Sequence, residues 1–156
     1  MVAAIVVAGG WVLLKPDPEP TMPGPDALGV SFSLLSFDED DVSGTNGSCS
    51  GTGGYSDFGP GMDIKVRNQD GKIIGSGATR SLEDLQVLEP EYFESMDFGE
   101  DFNLADDVVF CQVVALVELS ETAEFYDVEI GRRGTTSYSY DDLEESDWEL
   151  GLSLGL

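Results

Sequence analysis

The two cysteines are the residues with the most specific chemistry. Cys49 lies in a Gly/Ser-rich stretch, residues 43–57, and Cys111 lies in the strongly apolar run 108–117. If the chain is exported, two cysteines favour a disulfide, so we predict a Cys49–Cys111 bridge. On the chain-entropy account, closing a loop of about 60 residues stabilises a fold by roughly 4 kcal/mol. Two reduced thiols, with one of them buried and inert, are the alternative.

The composition argues against catalysis, because the chain contains no histidine. A nucleophilic cysteine or serine usually needs a histidine as its base, and most zinc sites use histidine as well. With 31 Asp and Glu residues, some facing pair of carboxylates arises by chance, so such a pair is no sign of a glycosidase. We predict no enzyme activity and no cofactor, calcium being the one possible exception.

A run of carboxylates, D-E-D-D at residues 38–41, is the candidate calcium site. Calcium takes six to eight oxygen ligands, and acidic loops supply them. The EF-hand pattern fails, because Val42 stands at the third ligand position and no glycine follows at the sixth. A solvated charge run is the alternative. The candidate ligands are Asp38, Asp40 and Asp41, joined by Asp57 or by Asp106 and Asp107 from across the fold.

Two further groups of residues favour contact with a protein partner. Residues 81–107 carry ten acids and no base, yet they also carry many aromatic side chains, which are enriched at protein interfaces. The aromatics either fold back as a lid or face outward to a partner, and the interleaved acids slightly favour the second. A basic pair at 132–133 is a hairpin tip or a docking point. The candidate contact residues are Tyr92, Phe93, Met96, Phe98, Phe102, Arg132 and Arg133.

The net charge limits the possible partners. Seven Lys and Arg residues against 31 Asp and Glu residues give −24 at pH 7. A surface of this charge repels nucleic acid and anionic lipid headgroups. It suits cations, basic partners or a high-salt setting, or it serves only to keep the chain soluble. We therefore predict no nucleic-acid partner.

The N-terminal segments predict an anchor and a spacer. Residues 1–14 carry no charge, but a spanning helix needs about 20 apolar residues, and the features of a signal peptide are missing. We predict a partial transmembrane helix that lacks its first residues, with a buried N-terminal strand or helix as the alternative. Residues 15–28 contain five prolines, which predict a stiff, extended linker.

The remaining residues, 29–156, predict one all-β domain with an acidic insertion at 81–107. Alternating apolar residues indicate about seven short strands, and turn residues separate them. Ser81 is placed to cap a short helix over 82–88, and 141–145 make one helical turn. Because these helices are too short to cross a parallel sheet, we predict an antiparallel β-sandwich. The strands are expected at 30–34, 62–67, 72–78, 108–119, 125–130, 135–140 and 148–154. The expected core is Phe32, Ile64, Val66, Phe110, Val114, Val128, Trp148, Leu150 and Leu152.

Three stretches carry a resemblance to a known group. They are C-S-G-T-G-G-Y-S-D-F-G-P-G-M at 49–62, F-Y-D-V-E-I-G-R-R-G at 125–134, and Y-S-Y-D-D-L-E-E-S-D-W-E-L-G-L-S-L-G at 138–155. With the later cysteine in its apolar strand, they resemble uncharacterised actinobacterial envelope proteins. Those proteins have one N-terminal transmembrane helix, a Pro-rich linker and a small disulfide-bonded β domain. The resemblance implies a compartment and an anchor, and it implies no activity.

These observations predict a membrane-anchored domain on the extracytoplasmic side of the cell membrane, with a single pass through it. Such a domain acts by binding or by structural association, for example as an accessory subunit of a cell-envelope complex. A surface adhesion module stabilised by calcium is the alternative.

Overall fold

The structure is a computed structural model of the 156-residue chain. It describes residues 4–7, 10–13, 21–45, 47–96 and 108–155. About half of the residues belong to β-strands, with three short α-helices between them, so the all-β class is confirmed. The strands are β1 (Ala4–Val7), β2 (Gly10–Leu13), β3 (Ala27–Ser36), β4 (Val42–Thr45), β5 (Ser48–Gly51), β6 (Asp63–Arg67), β7 (Ile73–Ala78), β8 (Arg80–Ser81), β9 (Val109–Glu118), β10 (Phe125–Ile130), β11 (Thr135–Ser139) and β12 (Glu149–Leu154). The helices are α1 (Leu82–Leu88), α2 (Pro90–Ser95) and α3 (Tyr140–Glu145).

The described residues of the predicted anchor are extended and not helical. Strands β1 and β2 pair as an antiparallel hairpin. Within the part of the chain that the structure describes, no helix combines the length and the apolarity needed to cross a bilayer. The predicted linker ends earlier than expected, because Ala27 and Leu28 already belong to β3 and are fully buried.

Two four-stranded sheets form the body of the domain. The first sheet has the order β11-β10-β6-β7, and all of its pairs are antiparallel. The second sheet has the order β12-β3-β9-β8. Its β12–β3 pair is parallel, with Leu150 opposite Val30, so the prediction of a purely antiparallel fold is wrong. A parallel pair needs a long connection, and nearly the whole domain lies between these two strands.

Side chains from both sheets share one hydrophobic core. Along β9, Cys111, Val113, Ala115 and Val117 all point into it, as the two-residue period of a strand requires. Seven of the predicted core residues are buried, while Phe110 and Leu152 are only half-buried. Phe110 is the second residue of its strand, and Leu152 belongs to an edge strand. Each therefore lies at the border of the sheet, where fewer side chains surround it.

The Gly/Ser-rich stretch is more ordered than its composition indicates. It forms the β4–β5 hairpin, and the segment after it returns to donate a hydrogen bond from Gly51 N–H to Phe58 O at 2.8 Å. Phe58 is buried, with its ring edge-to-face on Phe32 at 5.2 Å between centroids. A Cβ at Gly51 would overlap the carbonyl oxygen of Tyr55, so the close approach requires a residue without a side chain.

The described part of the acidic insertion folds back onto the second sheet. Ser81 caps α1 as predicted, since its hydroxyl accepts a hydrogen bond from the Asp84 N–H at 3.1 Å. The following helix, α2, was not predicted. Together the two helices cover the face of β9 opposite the main core. The second core formed there contains Leu82, Leu85, Tyr92 and Val114, with Phe93, Met96 and Leu116 packed against it.

Tyr92 is the central side chain of this second core, and only 2% of its surface is exposed. A Cβ at Gly29 would overlap the Tyr92 hydroxyl, so the glycine of β3 provides space for the ring. Burial raises the pKa of Tyr92 far above its ordinary value, and the nearby charge of Glu149 raises it further.

The raised pKa makes the stability of the protein fall in alkali. Above about pH 10 the unfolded tyrosine ionises while the folded one stays neutral, so stability present below that pH is lost as the pH rises. Tyr92→Phe removes this linkage. Between about pH 9 and about pH 11 the variant should lose about 1.4 kcal/mol less stability than the parent protein. Denaturant unfolding at both pH values measures the difference, and equal losses in the two proteins would contradict the prediction.

The chain enters β12 through two residues in the left-handed region, Asp147 at φ 55° and Trp148 at φ 61°. The Trp148 N–H donates to the Leu143 carbonyl at 2.7 Å, and its carbonyl accepts from the Gly29 N–H at 2.9 Å. These bonds hold a backbone conformation that is unfavourable for residues with a side chain. The strain belongs to the connection between α3 and the second sheet.

Relieving this strain should stabilise the protein. Asp147 is exposed, and Asp147→Gly should raise the free energy of unfolding by about 0.5–1 kcal/mol, because glycine adopts positive φ at little cost. Asp141→Gly is the matched control. It removes the same charge from inside α3 and should lower stability by roughly 1 kcal/mol. Chemical denaturation measures both variants, and destabilisation by Asp147→Gly would mean that the carboxylate matters more than the strain.

Candidate functional site

The predicted disulfide joins the Gly/Ser-rich stretch to the central strand β9. Cys49 and Cys111 are bonded, with their Cα atoms 5.8 Å apart and a sequence separation of 62. Both side chains are buried in the main core. The prediction of this bridge is confirmed, and the alternative of two reduced thiols is wrong.

An open cleft of about 300 Å³ lies near one end of the first sheet. Three segments form its walls: the end of the Gly/Ser-rich stretch, the start of β6, and the turn between β10 and β11. Pro60 and Met62 contribute apolar surface to it. Its charged lining consists of Asp57, Asp63, Lys65, Glu129 and Arg132.

The alternation of β6 brings charges to the cleft. Ile64 and Val66 are fully buried in the core, so Lys65 and Arg67 project from the opposite face. In the sheet Lys65 lies opposite Glu129, but Glu129 forms its ion pair diagonally, with Arg67 Nη1 at 2.7 Å from its Oε2. The Lys65 ammonium therefore has no ion-pair partner among the described residues.

The predicted docking pair, Arg132 and Arg133, serves two different purposes. Arg133 forms an ion pair with Asp57, and its guanidinium lies 5.9 Å from the ring centroid of Tyr55. Arg133 thus connects the β10–β11 turn to the Gly/Ser-rich stretch, and its charge is already paired within the chain. Its Nε is buried and lacks a hydrogen-bond partner within the described ranges. Arg132 is exposed, lines the cleft and has no ion pair with any described residue.

The cleft collects much of the positive charge of the molecule. Four of the seven basic residues line it or pair with a carboxylate that does. These four cations meet three carboxylates, so the local sum is +1 in a chain of −24. The four basic residues are Lys65, Arg67, Arg132 and Arg133. This gathering distinguishes the cleft from the rest of the acidic surface.

The predicted calcium ligands that the structure describes do not form a metal site. The Asp38 carboxylate accepts a hydrogen bond from the Asp40 N–H at 3.0 Å, and Asp41 accepts one from the Ser36 hydroxyl at 2.5 Å. These carboxylates thus cap and brace a short 3-10 turn at Glu39–Asp41. Across the described ranges, no group of three or more His, Cys, Asp or Glu residues is placed to hold a metal. The calcium prediction therefore finds no support there. Asp57 is paired with Arg133, and Asp106 and Asp107 lie outside the described residues.

The residues of the acidic insertion that were predicted to contact a partner divide into three groups. Tyr92 is buried, so its prediction as a contact residue is wrong. Phe93 and Met96 are half-buried and pack against the second core instead of facing away from it. Phe98 and Phe102 lie outside the described residues. Pro90 at the first turn of α2 and the three- and four-residue spacings among 92, 93 and 96 were sequence signals for this helix.

No protein-family model, curated protein or solved structure matches the chain. The assignment of function therefore rests on the residues of this chain. Lys65 and Asp63 were not predicted as site residues. Their alternation with apolar neighbours in the sequence was enough to place them on the outer face of a strand. Their position beside Arg132 follows from the β6–β10 register, which only the structure shows.

Proposed function

We propose that the chain is an exported domain, tethered to the cell membrane by its N-terminal segment, that acts by binding in the cell envelope. The Cys49–Cys111 disulfide is the observation that carries this proposal. Disulfides persist in oxidising compartments and are rare in the cytosol. The resemblance of residues 49–62, 125–134 and 138–155 to actinobacterial envelope proteins supports the same compartment.

The tether is supported by the sequence alone. Residues 1–14 carry no charge, and residues 15–28 are acidic and rich in proline. An apolar segment of this kind prefers lipid to water, and Pro-rich sequences favour extended linkers. Such a spacer holds the folded domain, which begins at Ala27, away from the membrane surface.

The fold suits a binding role. One core cluster contains side chains of both four-stranded sheets, from which we infer a β-sandwich. Helices α1 and α2 cover the outer face of the second sheet. The first sheet carries charged residues and the cleft on its outer face. Since the chain has no histidine, we propose binding without catalysis, as an accessory subunit of an envelope complex.

Protease treatment of intact cells or spheroplasts tests the location. Cleavage in the linker, after about Lys15, should release a folded domain that still contains the disulfide. A cytoplasmic marker protein, which must stay intact, is the control for lysis. Full protection of the domain, or two thiols that react with an alkylating reagent after the protein is unfolded without a reductant, would overturn the proposed compartment.

Purification from the native membrane tests the binding role. In a mild detergent extract the full chain should migrate in a particle much larger than one chain and its micelle. A chain lacking residues 1–14 is the matched control, because it keeps the domain and loses the tether. Migration of the full chain as a single subunit would contradict the role as an accessory subunit.

A further inference from the structure

Three charged groups in the cleft lack an ion-pair partner. They are the ammonium of Lys65, the guanidinium of Arg132 and the carboxylate of Asp63, and none of them has a salt bridge with a described residue. The other charges around the cleft neutralise one another. Arg67 pairs with Glu129, and Arg133 pairs with Asp57. The free groups are therefore two cations and one anion.

The backbone holds these three groups around one opening. Asp63 and Lys65 are two residues apart on β6, so they project from the same face of the sheet. The Gly131 N–H donates to the Asp63 carbonyl at 2.7 Å, which sets the β10–β11 turn against the start of β6. Arg132 follows Gly131 directly, and all four residues line the cleft. The backbone positions of the three groups are thus fixed before a ligand binds, which lowers part of the entropy cost of binding.

The size and the apolar surface of the cleft point to a small ligand. Its volume of about 300 Å³ lies at the lower end of the range for small-molecule sites, about 300–1,000 Å³. Pro60 and Met62 line it beside the charges. A ligand with charged groups at one end and a short apolar part would contact both kinds of surface.

The charge of the whole chain selects among such ligands. A net charge of −24 repels any ligand that is itself an anion. A zwitterion escapes this repulsion and still offers one group of each sign. We propose that the cleft binds a small ligand with a carboxylate and an ammonium group, that is, an amino acid or a compound with the same two groups.

Each free side chain has a role in this site. The planar fork of Arg132 accommodates a carboxylate in a bidentate manner, and Lys65 adds a second charged donor to the same group. Asp63 accepts hydrogen bonds from the ammonium of the ligand. The inference rests on the proposed function only in taking the chain to act by binding, and it does not depend on where the chain resides.

A titration of the purified full chain, with its disulfide intact, tests the proposal. The probes are the twenty free amino acids at millimolar concentration, followed by the amide signals of Gly61, Asp63 and Gly131 in NMR spectra. At least one amino acid should shift these signals saturably. Its C-terminal amide and its N-acetyl derivative should each bind at least about tenfold more weakly, because each loses one charged hydrogen-bonding group.

Matched variants distinguish binding by the cleft residues from an effect of the net charge of the chain. Arg132→Gln and Lys65→Gln should each weaken binding about tenfold or more. Arg80→Gln is the control, because Arg80 is exposed on β8, does not line the cleft, and its loss changes the net charge equally. It should leave the affinity unchanged.

Three results would overturn the proposal. The first is that no amino acid shifts the cleft signals. The second is that inorganic phosphate or the N-acetyl derivative binds as tightly as the amino acid, which would make the cleft a plain anion site. The third is that Arg80→Gln weakens binding as much as Arg132→Gln. None of these results bears on export or tethering, which the protease and detergent experiments test separately.

Discussion

Replacing both Cys49 and Cys111 by serine should lower the free energy of unfolding by about 2–5 kcal/mol. The bridge spans 62 residues of sequence, so its loss greatly increases the freedom of the unfolded chain. It also joins the β4–β5 hairpin to the central strand of the second sheet. Changing both residues avoids a lone thiol that could form bonds between molecules. Denaturant unfolding of the oxidised parent and the double variant measures the effect.

The parent protein under reducing conditions is the matched control for this experiment. Its unfolding midpoint should fall close to that of the double variant, because both lack the same cross-link. A double variant as stable as the oxidised parent would show that the bridge adds nothing to the fold. A reduced parent that stays as stable as the oxidised one would lead to the same conclusion.

Trp148→Ala should cost about 3–5 kcal/mol of stability, the range for large aromatic residues in cores. Only 5% of the Trp148 side chain is exposed. Its ring packs edge-on against Tyr126 and Tyr140, with centroids 5.7 and 5.1 Å away. Truncation would leave a cavity between these rings and the main core. Trp148→Phe keeps an aromatic ring and leaves a smaller cavity, so it should cost clearly less than Trp148→Ala.

The positive φ of Trp148 permits a second, sharper comparison. At most core positions glycine is less stable than alanine, because glycine has more freedom in the unfolded chain. At φ 61° the order should reverse, since alanine keeps the steric penalty that glycine avoids. Trp148→Gly should be more stable than Trp148→Ala by roughly 1 kcal/mol. The usual order of the two variants would show that this backbone conformation carries no strain.

Local sequence patterns predicted the strands well. All seven expected strands are present close to their predicted ranges, because alternation of apolar and polar residues is a local property of the chain. The turn at 68–71 is also explained by its own residues: the side-chain amide oxygen of Asn68 (Oδ1) accepts from the backbone N–H groups of Asp70 and Lys72 at 3.0 Å, and Gly71 has φ 77°. The β4–β5 hairpin was missed because its glycines and serines show no such alternation.

Long-range relations could not be predicted in the same way. The parallel pairing of β12 depends on which edge of the second sheet is free when the chain returns. Tyr92 is buried because the outer face of β9 is apolar and helices α1 and α2 pack on it. The acidic residues near Tyr92 in the sequence had instead favoured a solvent-exposed segment. The cleft needs Arg132, Lys65 and Asp63 together, and they come from two strand regions far apart in sequence. Only the cysteine pair could be predicted across such a distance, because each cysteine had just one possible partner in the chain.

The pairing of β3 with β12 has a consequence for the order in which the domain is assembled. The first strand of the domain hydrogen-bonds to the last one, so residues 149–154 must be available before the second sheet is complete. A chain that emerges from its N-terminus, at a ribosome or through a membrane channel, keeps one edge of β3 unsatisfied until the end. Contacts between distant residues of this kind also make folding slow. The second sheet is thus completed only when residues 149–154 have emerged and can pair with β3.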